Sequence, residues 1–127
     1  ITGKSRHLDN LYLQSVMTLT FLKRLTLELL PNMNRDCLKG FFSNAQSLSV
    51  LEELILFCVD GLQFNDECVG LIAKNCNKLR VFLLFNCPFV TDPGFSQLGK
   101  LLLLERLTVI RCVNLTKTGL VEVMGCE

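Results

Sequence analysis

Leucines recur along this chain in one fixed rhythm. Leu22-Lys-Arg-Leu-Thr-Leu, Leu51-Glu-Glu-Leu-Ile-Leu, Leu79-Arg-Val-Phe-Leu-Leu and Leu104-Glu-Arg-Leu-Thr-Val begin 29, 28 and 25 residues apart. Within each stretch the apolar residues alternate, the signature of a short strand with one face turned inward. A second half follows each strand, opening on a helix-start signal and continuing with apolar residues at helical spacing. The signals are Asn34-Arg-Asp, Asn65-Asp-Glu, Asp92-Pro93 and Thr116. Asn, Asp and Thr accept from the unpaired amides of a first turn, and Pro93 suits a first helical position, where no donor is needed.

A strand followed by a helix, repeated at this period, stacks parallel strands into a curved sheet with helices outside it. The expected fold is therefore an α/β leucine-rich-repeat solenoid, with strands on the concave face and helices on the convex face. One repeat domain over residues 1–127 is expected, with starts near Leu8, Leu22, Leu51, Leu79 and Leu104. Leu8-Asp-Asn-Leu-Tyr-Leu matches the strand motif, but the next start is only 14 residues on, too close for a helix, so this first unit reads as irregular. Neither end reads as a polar cap, which makes the chain a piece of a longer array in this reading and leaves uncapped ends for self-association.

Cysteines recur with the repeat. Cys87 and Cys112 lie three residues after the last strand leucine position, where a donor closes the turn from inside. The matching positions elsewhere hold Val16, Leu30 and Val59, and Cys58 falls one residue short, as the thiol expected to be most accessible. Cys76 and Cys126 share a slot with Leu48 and Leu101, marking it as core. Cys37 and Cys68 align with Gly94 and Gly119 at the first turn of each helix. Phe21 and Phe41-Phe42 read as core filler under the helices.

Cys87-Pro-Phe-Val-Thr-Asp-Pro-Gly-Phe-Ser-Gln-Leu and Cys112-Val-Asn-Leu-Thr-Lys-Thr-Gly-Leu resemble the cysteine-containing leucine-rich repeat, and Asn65 to Leu79 is similar in its second half. Repeats of that subtype are familiar from F-box proteins, where they form the substrate-binding arm of a ubiquitin ligase. The resemblance implies a protein-recognition role of that kind, by association of fold with function.

Composition narrows the field. Half of the residues are hydrophobic and the net charge is +1 with acidic and basic residues interleaved, so nothing concentrates phosphate and nucleic acid is not an expected partner. Charged residues interrupt every apolar run before it could span a membrane. Seven cysteines without a CxxC pair read as reduced thiols of a cytoplasmic or nuclear protein. The Asn114-Leu-Thr sequon would matter only in a secreted protein. His7 is the single histidine, and no phosphate loop, paired carboxylates or metal-spaced Cys/His set accompanies it, so neither an enzyme nor a cofactor is expected.

Residues flanking the motif leucines point away from the core. The first units present Asn10, Tyr12, Gln14 and then Arg24, Thr26, Glu28. The later ones present Glu53, Ile55, Phe57, then Val81, Leu83, Phe85, then Arg106, Thr108, Ile110. Such an apolar patch, rimmed by Arg24, Glu28, Glu53 and Arg106, is the expected binding surface for another protein. The alternative is a structural segment that stacks on neighbouring repeats or on a second copy and binds nothing itself.

Overall fold

The structure, a computed structural model, describes residues 2–3, 20–28, 35–58 and 64–116. It is an α/β arrangement of one parallel sheet and a row of helices. The sheet contains β1 (Thr2–Gly3), β2 (Arg24–Glu28), β3 (Glu53–Phe57), β4 (Val81–Phe85) and β5 (Arg106–Ile110), in chain order and all parallel. The helices are α1 (Arg35–Phe42), α2 (Ala45–Leu48), α3 (Asp66–Asn75) and α4 (Asp92–Phe95), the last running into a 3-10 turn, Ser96–Lys100.

Register follows the leucine rhythm without a slip. Leu25 pairs with Leu54, Leu54 with Phe82 and Phe82 with Leu107; one turn of alternation later, Leu27, Leu56, Leu84 and Val109 are matched in the same way. A slip of one residue would turn all of these outward at once, which is why one buried face fixes the pairing. Leu25, Leu27, Leu54, Leu56, Phe82 and Leu84 are buried in a single core with Leu38, Phe41 and Phe42 of α1 and Val69 and Ile72 of α3. Full burial of side chains of this size contributes about 1.5–3 kcal/mol each. Phe42 packs edge-on against Phe41 and Phe64, with ring centroids 5.0 and 5.6 Å away.

Capping proceeds largely as the local chemistry demands. The Asn65 Oδ1 accepts from the Glu67 and Cys68 amides, at 3.1 and 3.3 Å, closing the first turn of α3. Asn44 does the same for α2, accepting from the Ser47 amide at 3.2 Å. Buried Asn75, at the end of α3, donates its side-chain amide to the Phe42 carbonyl at 2.7 Å and so satisfies the end of α1. Lys39 of α1 pairs with Glu67 of α3 at 3.0 Å.

At α4 the pattern differs from expectation. Thr91 occupies the capping position but makes no cap to its own helix. Its amide, at 2.7 Å, and its hydroxyl both donate to the Asp66 carboxylate, which stands at the start of α3. Asp92 repeats the device one unit later, accepting from the amide of Thr116 at 2.9 Å and from its hydroxyl. The helix-start signals thus join successive units through a forward clasp between side chain and backbone. Gly94 belongs to this joint, since a Cβ there would run into the Asp66 side chain.

Three further expectations need correction or lie out of reach. Phe21 is 92% exposed in the turn before β2, because the inward series starts at Leu22 and leaves the preceding residue outside. The edge of β2 that the Leu8 unit was to flank is paired instead with Thr2–Gly3, through Thr2 to Thr26 and Gly3 to Leu27. The Leu8 motif itself, with Asn10, Tyr12, Gln14, Val16 and His7, falls outside the described residues, as do Leu30, Asn34, Val59, Gly119 and Cys126.

Candidate protein-binding face

Alternation places every other strand residue on the face opposite the helices, and register sorts these residues into three rows. The first row, where the strands begin, is Arg24, Glu53, Val81, Arg106; the second is Thr26, Ile55, Leu83, Thr108; the third is Glu28, Phe57, Phe85, Ile110. All nine residues expected to form the surface, Glu53, Ile55, Phe57, Val81, Leu83, Phe85, Arg106, Thr108 and Ile110, therefore stand together on one face. Ile55, Phe57, Val81, Leu83, Phe85 and Thr108 are half-buried by their neighbours, and Ile110 is 41% exposed.

The third row is the apolar end. The rings of Phe57 and Phe85 are 5.6 Å apart, tilted by 53°, a separation typical of interacting aromatics. The guanidinium of Arg111 lies over the Phe85 ring, with its Cζ 5.8 Å from the centroid. Alternation alone would send Arg111 toward the core, as it would Asn86. Both residues adopt positive φ, 58° and 62°, and that left-handed step turns the chain at the end of β5 and β4. Asn86 then donates its side-chain amide to the Cys58 carbonyl at 3.2 Å, and its own amide donates to the Ile110 carbonyl at 2.8 Å.

The first row is the charged end. Lys23, Glu52, Arg80 and Glu105 directly follow the four start leucines and alternate in sign across the sheet. Lys23 approaches Glu52 at 3.9 Å, and the Arg80 Nε donates to the Glu105 Oε2 at 2.5 Å. The guanidinium of Arg80 holds the Glu105 carboxyl below the usual range, and Glu105 in turn raises Arg80. Both side chains are exposed, so the pair contributes little to stability. Beside this ladder Arg24, Glu53 and Arg106 line an open cavity of about 400 Å³ with Glu52, Arg80 and Glu105. Sequence reasoning named Arg24, Glu53 and Arg106 as rim but missed the ladder, whose signal was the alternating sign one residue after each start.

The cysteine slots behave as a set, with one correction. Cys87 donates to the Phe85 carbonyl at 3.6 Å, while Cys112 reaches the Ile110 carbonyl at 3.7 Å and the Leu84 carbonyl at 3.9 Å, so both close their turns from inside. Cys58 was expected to be accessible and is only 4% exposed. It continues the inward series of Leu54 and Leu56 with no left-handed residue before it, so plain alternation carries it into the core. There its sulfur lies 2.8 Å from that of Cys87. Cys76, Leu48 and Leu101 are buried as the slot alignment requires, and Cys68 is buried in the first turn of α3.

Among the described residues no group of three or more His, Cys, Asp or Glu side chains is placed to hold a metal ion, and no helix is long and apolar enough to cross a membrane. Comparison of the chain with protein-family models and with curated proteins gave no match.

Proposed function

We propose that the chain is a run of cysteine-containing leucine-rich repeats, a solenoid with its strands on the concave side, acting as a protein-interaction module without a catalytic step. The observation that carries this reading is the third row. Phe57, Phe85 and Ile110 sit in register on a face that none of the described helices covers, with a charged row at the other end of the strands that can fix orientation. In this reading the apolar row supplies desolvated contact, and Arg24, Glu53 and Arg106 set the direction of docking. The narrower assignment, the substrate-recognition arm of an F-box-type ubiquitin ligase in the cytoplasm or nucleus, is supported by the repeat resemblance.

The test is partner capture by Phe57→Ala/Phe85→Ala alongside wild type, with circular dichroism and melting as controls. Loss of every wild-type partner at unchanged fold is the expected result. Equal capture by both proteins would remove the binding face, and loss of fold would make the two rings structural.

A second reading, stacking of this segment on neighbouring repeats or on a second copy, is favoured by the last rung. Leu102 is 89% and Val113 77% exposed at the turns on either side of β5. Self-association that persists in Phe57→Ala/Phe85→Ala but vanishes in Leu102→Asp, measured by sedimentation, would favour it.

A further inference from the structure

Three thiols on neighbouring strands meet at the end of the core nearest the aromatic row. Cys87 and Cys112 occupy the same position after β4 and β5, and adjacent strands are spaced at about 4.8 Å, inside the Cα separations that a disulfide accepts. Cys58 reaches the same point from β3, with its sulfur 2.8 Å from that of Cys87. Cys87 also hydrogen-bonds the Cys112 sulfur, so it touches both neighbours. A structural role alone asks each slot to close its own turn, and does not require three sulfurs in a row.

We propose that Cys58, Cys87 and Cys112 form a thiol relay that hydrogen peroxide oxidises to a disulfide between Cys58 and Cys87. Oxidation enters at Cys112, which at 8% is the most exposed of the three. Hydrogen bonding from Cys87, opposed by burial and aided by the backbone amides of Cys87 and Asn86, lowers its thiol from the usual value and so favours the thiolate that reacts. The thiolate attacks one peroxide oxygen and the O–O bond breaks. Cys112 becomes a sulfenic acid, and the other oxygen leaves as hydroxide, which a proton converts to water.

The Cys87 sulfur then attacks the Cys112 sulfur. The S–O bond breaks, and the departing hydroxide takes the Cys87 proton as a second water. Cys58 next attacks Cys87, transferring its proton to Cys112, which leaves as a thiol. Cys58 and Cys87 already stand with their sulfurs 2.8 Å apart, so the bond settles between them. In sum, two thiols and one peroxide give one disulfide and two waters. Two electrons pass from sulfur to oxygen.

The experiment exposes the full folded chain to hydrogen peroxide, alkylates free thiols in denaturant and maps Cys58, Cys87 and Cys112 by mass spectrometry. A Cys58–Cys87 linked peptide is expected, with Cys112 alkylated and all three thiols restored by dithiothreitol. In Cys87→Ser the hydroxyl can still donate to Cys112 but cannot resolve it, so dimedone should trap sulfenic acid on Cys112 at several times the wild-type level. Cys58→Ala should stop at a Cys87–Cys112 disulfide, which keeps the idea testable if Cys87→Ser does not fold. Free Cys58 and Cys87 after a dose that oxidises an exposed thiol in a control peptide would overturn the proposal. A wild-type product linking only Cys87 to Cys112 would overturn its last transfer.

Discussion

The two faces of the sheet are built from alternate residues of the same strands. In β3 and β4 the inward residues Leu54, Leu56, Phe82 and Leu84 are fully buried, while Ile55, Phe57, Leu83 and Phe85, no less apolar, are only half-buried. Hydrophobicity therefore does not decide which face becomes core. The helices decide it, because Leu38, Phe41, Val69 and Ile72 pack on one side only. Parallel strands that are apolar on both sides are ordinarily covered on both, so these rows, which none of the described helices covers, carry apolar side chains beyond what the helix-side core uses.

The sharpest way to break this contrast is to truncate one ring on each face. Phe82→Ala removes a fully buried side chain and should cost roughly 3 to 5 kcal/mol in a denaturant melt. Phe85→Ala should cost about 1–2 kcal/mol, mainly its contacts with Phe57 and Arg111. Equal losses would mean that the outer face is also core.

Alkali probes the inner face alone. Burial pushes the Cys76 thiol from 9.0 to about 12, so the folded state favours its protonated form. That stability is complete below the unfolded value and is lost as pH rises from about 9 through 12, on the order of 4 kcal/mol at its limit. Cys76→Ala should flatten the alkaline arm of a melting-temperature profile over that window, and an unchanged slope would place the thiol in contact with water.

Between these scales stands the joint under the helices. Gly94→Ala should lose about 1–3 kcal/mol, since the added methyl meets the Asp66 carboxylate that holds Thr91. A neutral result would show that the clasp yields freely. The smallest effect is expected on the outer face, at the charged end. Glu105→Gln should leave the melting temperature unchanged at moderate salt, because Arg80 and Glu105 are exposed. A clear drop would reveal something packed over that end.

Much of this was legible in the leucine spacing. Start residues 22, 51, 79 and 104 fix the strands and their register, and with them the nine residues of the outer face, because alternation leaves no other arrangement once one face is buried. What escaped was set by departures from alternation or by distance along the chain. The left-handed steps at Asn86 and Arg111 decide that Arg111 lies over Phe85, and positive φ at a residue other than glycine leaves little trace in a sequence. Cys58 was misplaced because it was aligned with the slot of Cys87 and Cys112, when its own position two residues beyond Leu56 already pointed it inward. The Asp66 clasp was hidden because Asp at a helix start has a sufficient local explanation, and nothing local shows that it reaches Thr91.

That clasp bears on how such a chain can change its length. Asp66 serves the unit that follows it and Asp92 serves the next, so the segment that holds Thr91 and Asp92 carries both the hook for its successor and the eye for its predecessor. A duplicated or deleted segment cut at the same point in the period leaves every hook facing an eye. The joints are conserved under copying, and lengthening the array requires no new junction chemistry.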